Sequence, residues 1–175
     1  MQRADRLRRL SHWLFWTSTV LAWLLPLALI AKIAKGVYDP ATLVARFPAL
    51  PPGTVVSPFA GNMVAALAVA ALFPMIAAFI AMRSLFDRYR RGEILTDACA
   101  DDIGRIGRAL FVVAAMTVIL PFLQLIVLSA PGQLVFGIGV SDSTLGFLLS
   151  GGVLIAIGRV MGEAARLAEE NRGFV

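Results

Sequence analysis

Apolar and polar positions alternate along this chain in long blocks. Four apolar runs, at about residues 10–33, 60–82, 109–130 and 144–162, are separated by polar or proline-rich connections. From Leu10 to Ala31 there is no Asp, Glu, Lys or Arg. At about 1.5 Å per residue, a run of that length crosses a hydrocarbon core of about 30 Å. The second and third runs are equally long. The fourth has a charge-free core of only 16 residues, 143–158. As a helix that core measures about 24 Å, so Arg159 falls at or inside the membrane boundary. There it either snorkels or pairs with a carboxylate of the charged connection. The pattern predicts an all-α membrane protein with four transmembrane helices, forming one domain over residues 1–175.

The connections differ in character. In the first, residues 32–59, Pro40, Pro48, Pro51, Pro52 and Pro58 with Gly36 and Gly53 are expected to break any helix. The result is a surface linker, or a cap over that face. The second, residues 83–108, packs six arginines and five carboxylates into 26 residues. Its start predicts a continuation of helix two to Arg91, with Gly92 as the C-terminal stop and Arg90 and Arg91 favoured in the last turn. Arg83–Asp87 and Asp87–Arg91 have the spacing of helical ion pairs. Thr96 is a good N-cap for the next helix, and Asp97 follows it. On that helix Ile103, Ile106 and Leu110 share a face, and Asp101 is spaced to pair with Arg105. The third connection, residues 131–144, holds Leu134, Val135, Phe136, Ile138 and Val140, which read as a short strand or hairpin. The tail, 163–175, continues helix four, with Arg166 and Glu170 one turn apart.

Charge sets the predicted orientation. Lys and Arg number four at the N-terminus, six in the second connection and three from Arg159 onward, against Lys32, Lys35 and Arg46 on the other side. Thirteen against three predicts that both termini and the loop 83–108 are cytoplasmic. Helices two, three and four then carry cytoplasmic helical extensions. The net charge of +5 belongs to this topology signal, so no direct nucleic-acid binding is expected. A basic start before an apolar run also resembles a signal peptide. The length of the run, with Trp13, Trp16 and Trp23 in it, predicts an uncleaved anchor instead. Mean hydropathy of +0.81 agrees with a membrane-embedded chain.

Chemistry is sparse. The single Cys99 rules out an internal disulfide and any Cys-cluster metal site. The lone His12 lies beside Trp13 at a predicted interface. The spans hold no carboxylate at mid-depth, which argues against a proton- or cation-coupled transporter. Thr17, Ser18, Thr19, Asn62, Thr117, Gln124 and Ser150 are the polar residues within the spans, expected to bond to helix backbones or neighbouring helices. No catalytic constellation, metal site or cofactor is expected. Gly158 and Gly162 form a GxxxG, which predicts close helix packing, with Gly151, Gly152 and Ala156 extending the small surface.

Two segments carry a family resemblance. LFDRYRRGEILT followed by DDIGRIGRAL, and the ending GEAARLAEENRGFV, resemble the YoaS-like family of bacterial four-span membrane proteins, a domain of unknown function. The best-matching positions are Tyr89, Arg90, Arg91, Gly92 and Glu93, with Glu169, Glu170 and Asn171 in the tail. The resemblance implies a bacterial inner-membrane protein. Genes of that family often adjoin a small helix-turn-helix regulator, which implies a cytoplasmic protein partner.

The residues themselves favour a non-enzymatic regulatory protein whose cytoplasmic loop and tail bind a soluble partner. An accessory subunit of a larger membrane complex and a small transporter or pore are the alternatives. The candidate surface comprises the motif residues above with Asp101, Arg105, Arg159 and Glu163. Loop and tail are expected to form one unit, with Glu163, Glu169 and Glu170 facing the loop arginines and Arg159 as its desolvated charge. Leu85, Phe86, Tyr89, Ile94, Leu95, Ile103 and Ile106 with Met161, Ala165 and Leu167 are the apolar residues available to hold it together.

Overall fold

In a computed structural model, residues 2–34, 39–47, 50, 54–94, 96–129 and 141–172 are described, and all regular structure among them is helical. Helix α1 spans Gln2–Ala34 and runs through Pro26. The others are α2 (Pro40–Arg46), α3 (Pro58–Ala70), α4 (Leu72–Arg91), α5 (Asp97–Leu128) and α6 (Asp142–Arg172). Four stretches are long and apolar enough to cross a membrane: His12–Ile33, Pro58–Arg91, Asp97–Leu128 and Asp142–Asn171. The chain is an all-α, four-span membrane protein.

Local sequence explains the element boundaries. The second span is two helices in line, interrupted at Ala71. Pro74 has no N–H to give the carbonyl four residues back, so α3 ends at Ala70 and Pro74 sits in the first turn of α4. Helix α3 begins at Pro58 after Ser57, whose hydroxyl accepts from the Ala60 amide at 3.2 Å. Gly92 ends α4 at φ 86°, a left-handed conformation that glycine adopts without strain. Its amide donates to Tyr89 O and the Glu93 amide to Arg88 O, both at 3.1 Å, which satisfies two otherwise unpaired carbonyls. Thr96 caps α5, its hydroxyl accepting from the Cys99 amide at 3.3 Å. The stop at Gly92 and the start at Thr96 are where the sequence placed them, whereas helix two, expected to be continuous to Arg91, is broken at Ala71.

The first connection differs from expectation. A two-turn helix, α2, forms within it, because Pro40 occupies the first helical position, where its missing N–H costs nothing. Leu43, Leu50 and Val56 are buried against Val64 of α3 and Leu125 and Leu128 of α5. The segment therefore closes one end of the bundle as an apolar cap. The strand or hairpin expected around 134–140 lies outside the described residues.

The helices pack in a row. Helix α1 lies against α4, α4 against α5, and α5 against α6, while α3 contacts α5 at the capped end. The α5–α6 contact is the most extensive. Five of the seven polar side chains within the spans bond as expected, while Asn62 and Ser150 are exposed. Thr17, Ser18 and Thr19 bond to α1 carbonyls, Thr117 to Ala114 O, and Gln124 to Val64 O across helices at 3.5 Å. Thr117 and Thr144 exchange a hydroxyl contact of 2.9 Å between α5 and α6.

Candidate functional site

The end of α4, the start of α5 and the last turns of α6 converge at one end of the bundle, opposite the apolar cap. Each is carried there by an apolar stripe. Ala81 and Leu85 of α4, Cys99, Ile103 and Ile106 of α5, and the adjoining Met82, Tyr89, Leu110, Leu154 and Met161 form a single cluster. Ile103, Ile106 and Leu110 share a face, as their spacing predicted. Tyr89 is half-buried there, edge-on to Phe86 at 6.5 Å. Of the residues expected from α6, Met161 joins the cluster and Ala165 is buried outside it, while Leu167 and Ile94 remain exposed and Leu95 lies outside the described residues.

A buried carboxylate lies within this end. Asp102 is 1% exposed. Its Oδ2 accepts from Ser84 Oγ at 2.8 Å and Arg88 Nε at 3.0 Å, and its Oδ1 from Arg105 Nη1 at 3.3 Å. The Arg88 guanidinium also stands 3.7 Å from the Glu93 carboxylate. Burying an ionised carboxylate is costly unless its oxygens are paired, and here both are. The network ties α4 to α5 across the turn that Gly92 makes. Cys99, fully buried, reinforces the turn by donating from Sγ to the Glu93 carbonyl at 3.1 Å.

Sequence spacing misassigned two ion pairs. Arg105 bonds to Asp102, not to Asp101, which is exposed. Consecutive positions on a helix point about 100° apart, so only one of the two acids can lie on the buried face. Asp102 follows Cys99 by three positions and precedes Ile106 by four, which places it on the apolar stripe. That register was the available signal. Asp87 pairs with Arg90 at 2.9 Å and with Arg91, as the latter spacing predicted, but not with Arg83. Arg83 instead lies over the Phe15 ring of α1, 5.0 Å from its centroid, and Arg90, besides its pair with Asp87, lies 5.3 Å from the same centroid.

The remaining candidate residues are scattered. Glu163 and Glu170 bond to Arg166 within α6, at 3.3 and 3.6 Å, rather than to arginines of the loop. Glu169 and Asn171 are exposed on the same helix. Arg159 is exposed too, with no ion pair among the described residues, so it is not a desolvated partner of the loop. The desolvated charge is Asp102.

What joins α6 to α5 is glycine. A Cβ on Gly158 would lie 2.9 Å from Ala100 O, and one on Gly107 would lie 2.8 Å from Gly151 O. Helices α5 and α6 thus touch backbone to backbone at two levels. A Cβ on Gly162 would meet Ala100 Cβ at an ordinary 3.6 Å, and one on Gly152 would face open space. The close contact expected at Gly158 is present. Its α5 counterparts, Ala100, Gly104 and Gly107, went unnoticed in the sequence.

A family model described as "Protein of unknown function (DUF2975)" matches residues 2–172. No curated protein and no solved structure matches the chain.

Proposed function

We propose that this chain, which belongs to the DUF2975 family, works as a non-catalytic regulatory membrane protein that presents its charged end to a soluble protein partner. In this reading it resides in a bacterial inner membrane with both termini in the cytoplasm, as the thirteen-to-three charge bias favours. The observation that carries the reading is the construction of that end. Asp102 and its three donors fix the relative positions of α4 and α5, and the glycine contacts fix α6 against α5. Arg90, Arg91 and Arg105 from the loop and Glu163, Glu169 and Glu170 from the tail are then displayed, exposed, on a preorganised scaffold. Preorganisation lowers the ordering cost of binding, and clusters of both signs select a complementary partner. A helix-turn-helix regulator is the first partner to test.

The experiment is a mild-detergent pulldown of the full chain with mass spectrometry, comparing wild type with an Arg90→Glu, Arg91→Glu variant. A soluble protein recovered with wild type and lost with the variant supports the reading. Recovery of integral membrane proteins alone, equally from both, overturns it in favour of an accessory subunit. Labelling of a cysteine at position 172 from outside intact cells, on a Cys99→Ser background, would overturn the orientation.

A further inference from the structure

Beside the glycine contact, α5 and α6 leave an open groove of about 580 Å³. Its floor is small: Ala100 and Gly104 from α5, Gly158 and Gly162 from α6. Its charged walls are Asp97, Asp101 and Arg108 from α5 and Arg159 from α6. None of these four forms an ion pair among the described residues. Two cations and two anions therefore line one groove without neutralising each other.

Their order follows the membrane. Arg108 is the last charge before the apolar run of α5, and Arg159 is the first charge after that of α6. The Arg108 side chain folds back along its helix, with Nη1 3.3 Å from where a Gly104 Cβ would stand. The guanidinium thus reaches the level of Gly104, against which Gly158, the neighbour of Arg159, is packed. Asp101 and Asp97 lie about 10 and 16 Å beyond the Arg108 backbone along the axis, further from the apolar run. From the membrane outward, Arg108 comes first and Asp97 last, with Arg159 and Asp101 at one level between them.

We propose that this groove binds the headgroup of an aminophospholipid. The phosphodiester sits on Arg108 and Arg159, the primary ammonium on Asp101 and Asp97, and the acyl chains lie along the apolar faces of α5 and α6. Guanidinium pairs are strong phosphate ligands, and basic sites between membrane helices at the interface are where headgroups dock. The groove's own charge sums to zero, which matches a zwitterion better than an anionic lipid.

The test is native mass spectrometry of the full chain, delipidated in detergent and titrated with phosphatidylethanolamine, phosphatidylglycerol or inorganic phosphate. Phosphatidylethanolamine is expected to bind about tenfold more tightly than phosphatidylglycerol, and Arg108→Gln, Arg159→Gln to weaken it about tenfold or more. Asp97→Asn, Asp101→Asn is expected to bring the two lipids to equal affinity. Because this last readout is a ratio, partial loss of folded protein does not affect it. Phosphatidylglycerol binding as well as phosphatidylethanolamine to wild type overturns the proposal. So does unchanged lipid binding by the double arginine variant, or displacement of lipid by inorganic phosphate at equal concentration, which would mark a site for free phosphate.

Discussion

Helix α6 and helix α1 stand at opposite edges of the same row, and they are held in different ways. Helix α6 meets α5 with bare backbone at Gly107–Gly151 and at Ala100–Gly158. Helix α1 meets α4 through side chains, with Arg83 and Arg90 near the Phe15 ring at the charged end. Its outward face is left open: Trp13, Trp23, Leu27 and Ile30 are each more than 60% exposed. In a bilayer such faces cost nothing, because lipid tails are as apolar as the side chains, so burial does not drive the contact. What holds membrane helices together is close packing and polar contact, and α5–α6 has the closer packing. The comparison separates a tightly built unit, α5–α6, from an attached helix, α1, which α4 holds through side chains.

The strongest way to break this comparison is to separate α5 from α6. Gly107→Leu is expected to destabilise the protein in detergent by about 3 kcal/mol, since the new side chain meets backbone that cannot rotate away. Gly151→Leu should do the same from the other helix, and denaturant-induced unfolding followed by circular dichroism checks both. A loss no greater than that of a lipid-facing control, Val153→Leu, would show that the seam is not the tight contact.

Next comes the buried acid. Asp102→Ala is expected to cost about 2 kcal/mol, less than a fully enclosed pair because both arginine partners reach water. Ser84→Ala should cost about 1 kcal/mol. Asp101→Ala serves as the exposed comparison and should leave the unfolding midpoint unchanged. Equal effects at 101 and 102 would contradict the register of α5.

The attached helix should yield less. Phe15→Ala removes two ring–guanidinium contacts, each worth about 0.5–1 kcal/mol at an exposed site. It should loosen α1 alone: cysteine pairs placed across α1–α4 should crosslink more slowly, while pairs across α5–α6 keep their rate. Loss of both rates together would mean that α1 is integral to the unit. The smallest effect is expected at Gly162→Ala, below about 0.5 kcal/mol, because its new methyl meets Ala100 at an ordinary contact distance. Gly158→Ala, facing a carbonyl, should be clearly worse, which sharpens a GxxxG pair into one critical glycine and one tolerant one.

Some features of this protein were fixed by residues close together in the sequence. The number of spans follows from run length against bilayer thickness. The stop at Gly92 and the start at Thr96 are single-turn events, and the Asp87–Arg91 pair lies within one turn of helix. Each could be read directly, because the interacting groups are only a few positions apart. The first connection was misread for a related reason: proline excludes a helix interior but favours a helix start, and only the fold shows that Pro40 begins one. The partner choices of Arg83, Arg105 and Arg159, the burial of Asp102 between two helices, and the glycine contact of α5 with α6 were decided by tertiary packing. Those depend on how each helix is rotated about its axis and on what lies across from it. A bilayer removes the water-driven amphipathic pattern that would otherwise reveal that rotation, so long apolar helices state their length plainly and their facing hardly at all.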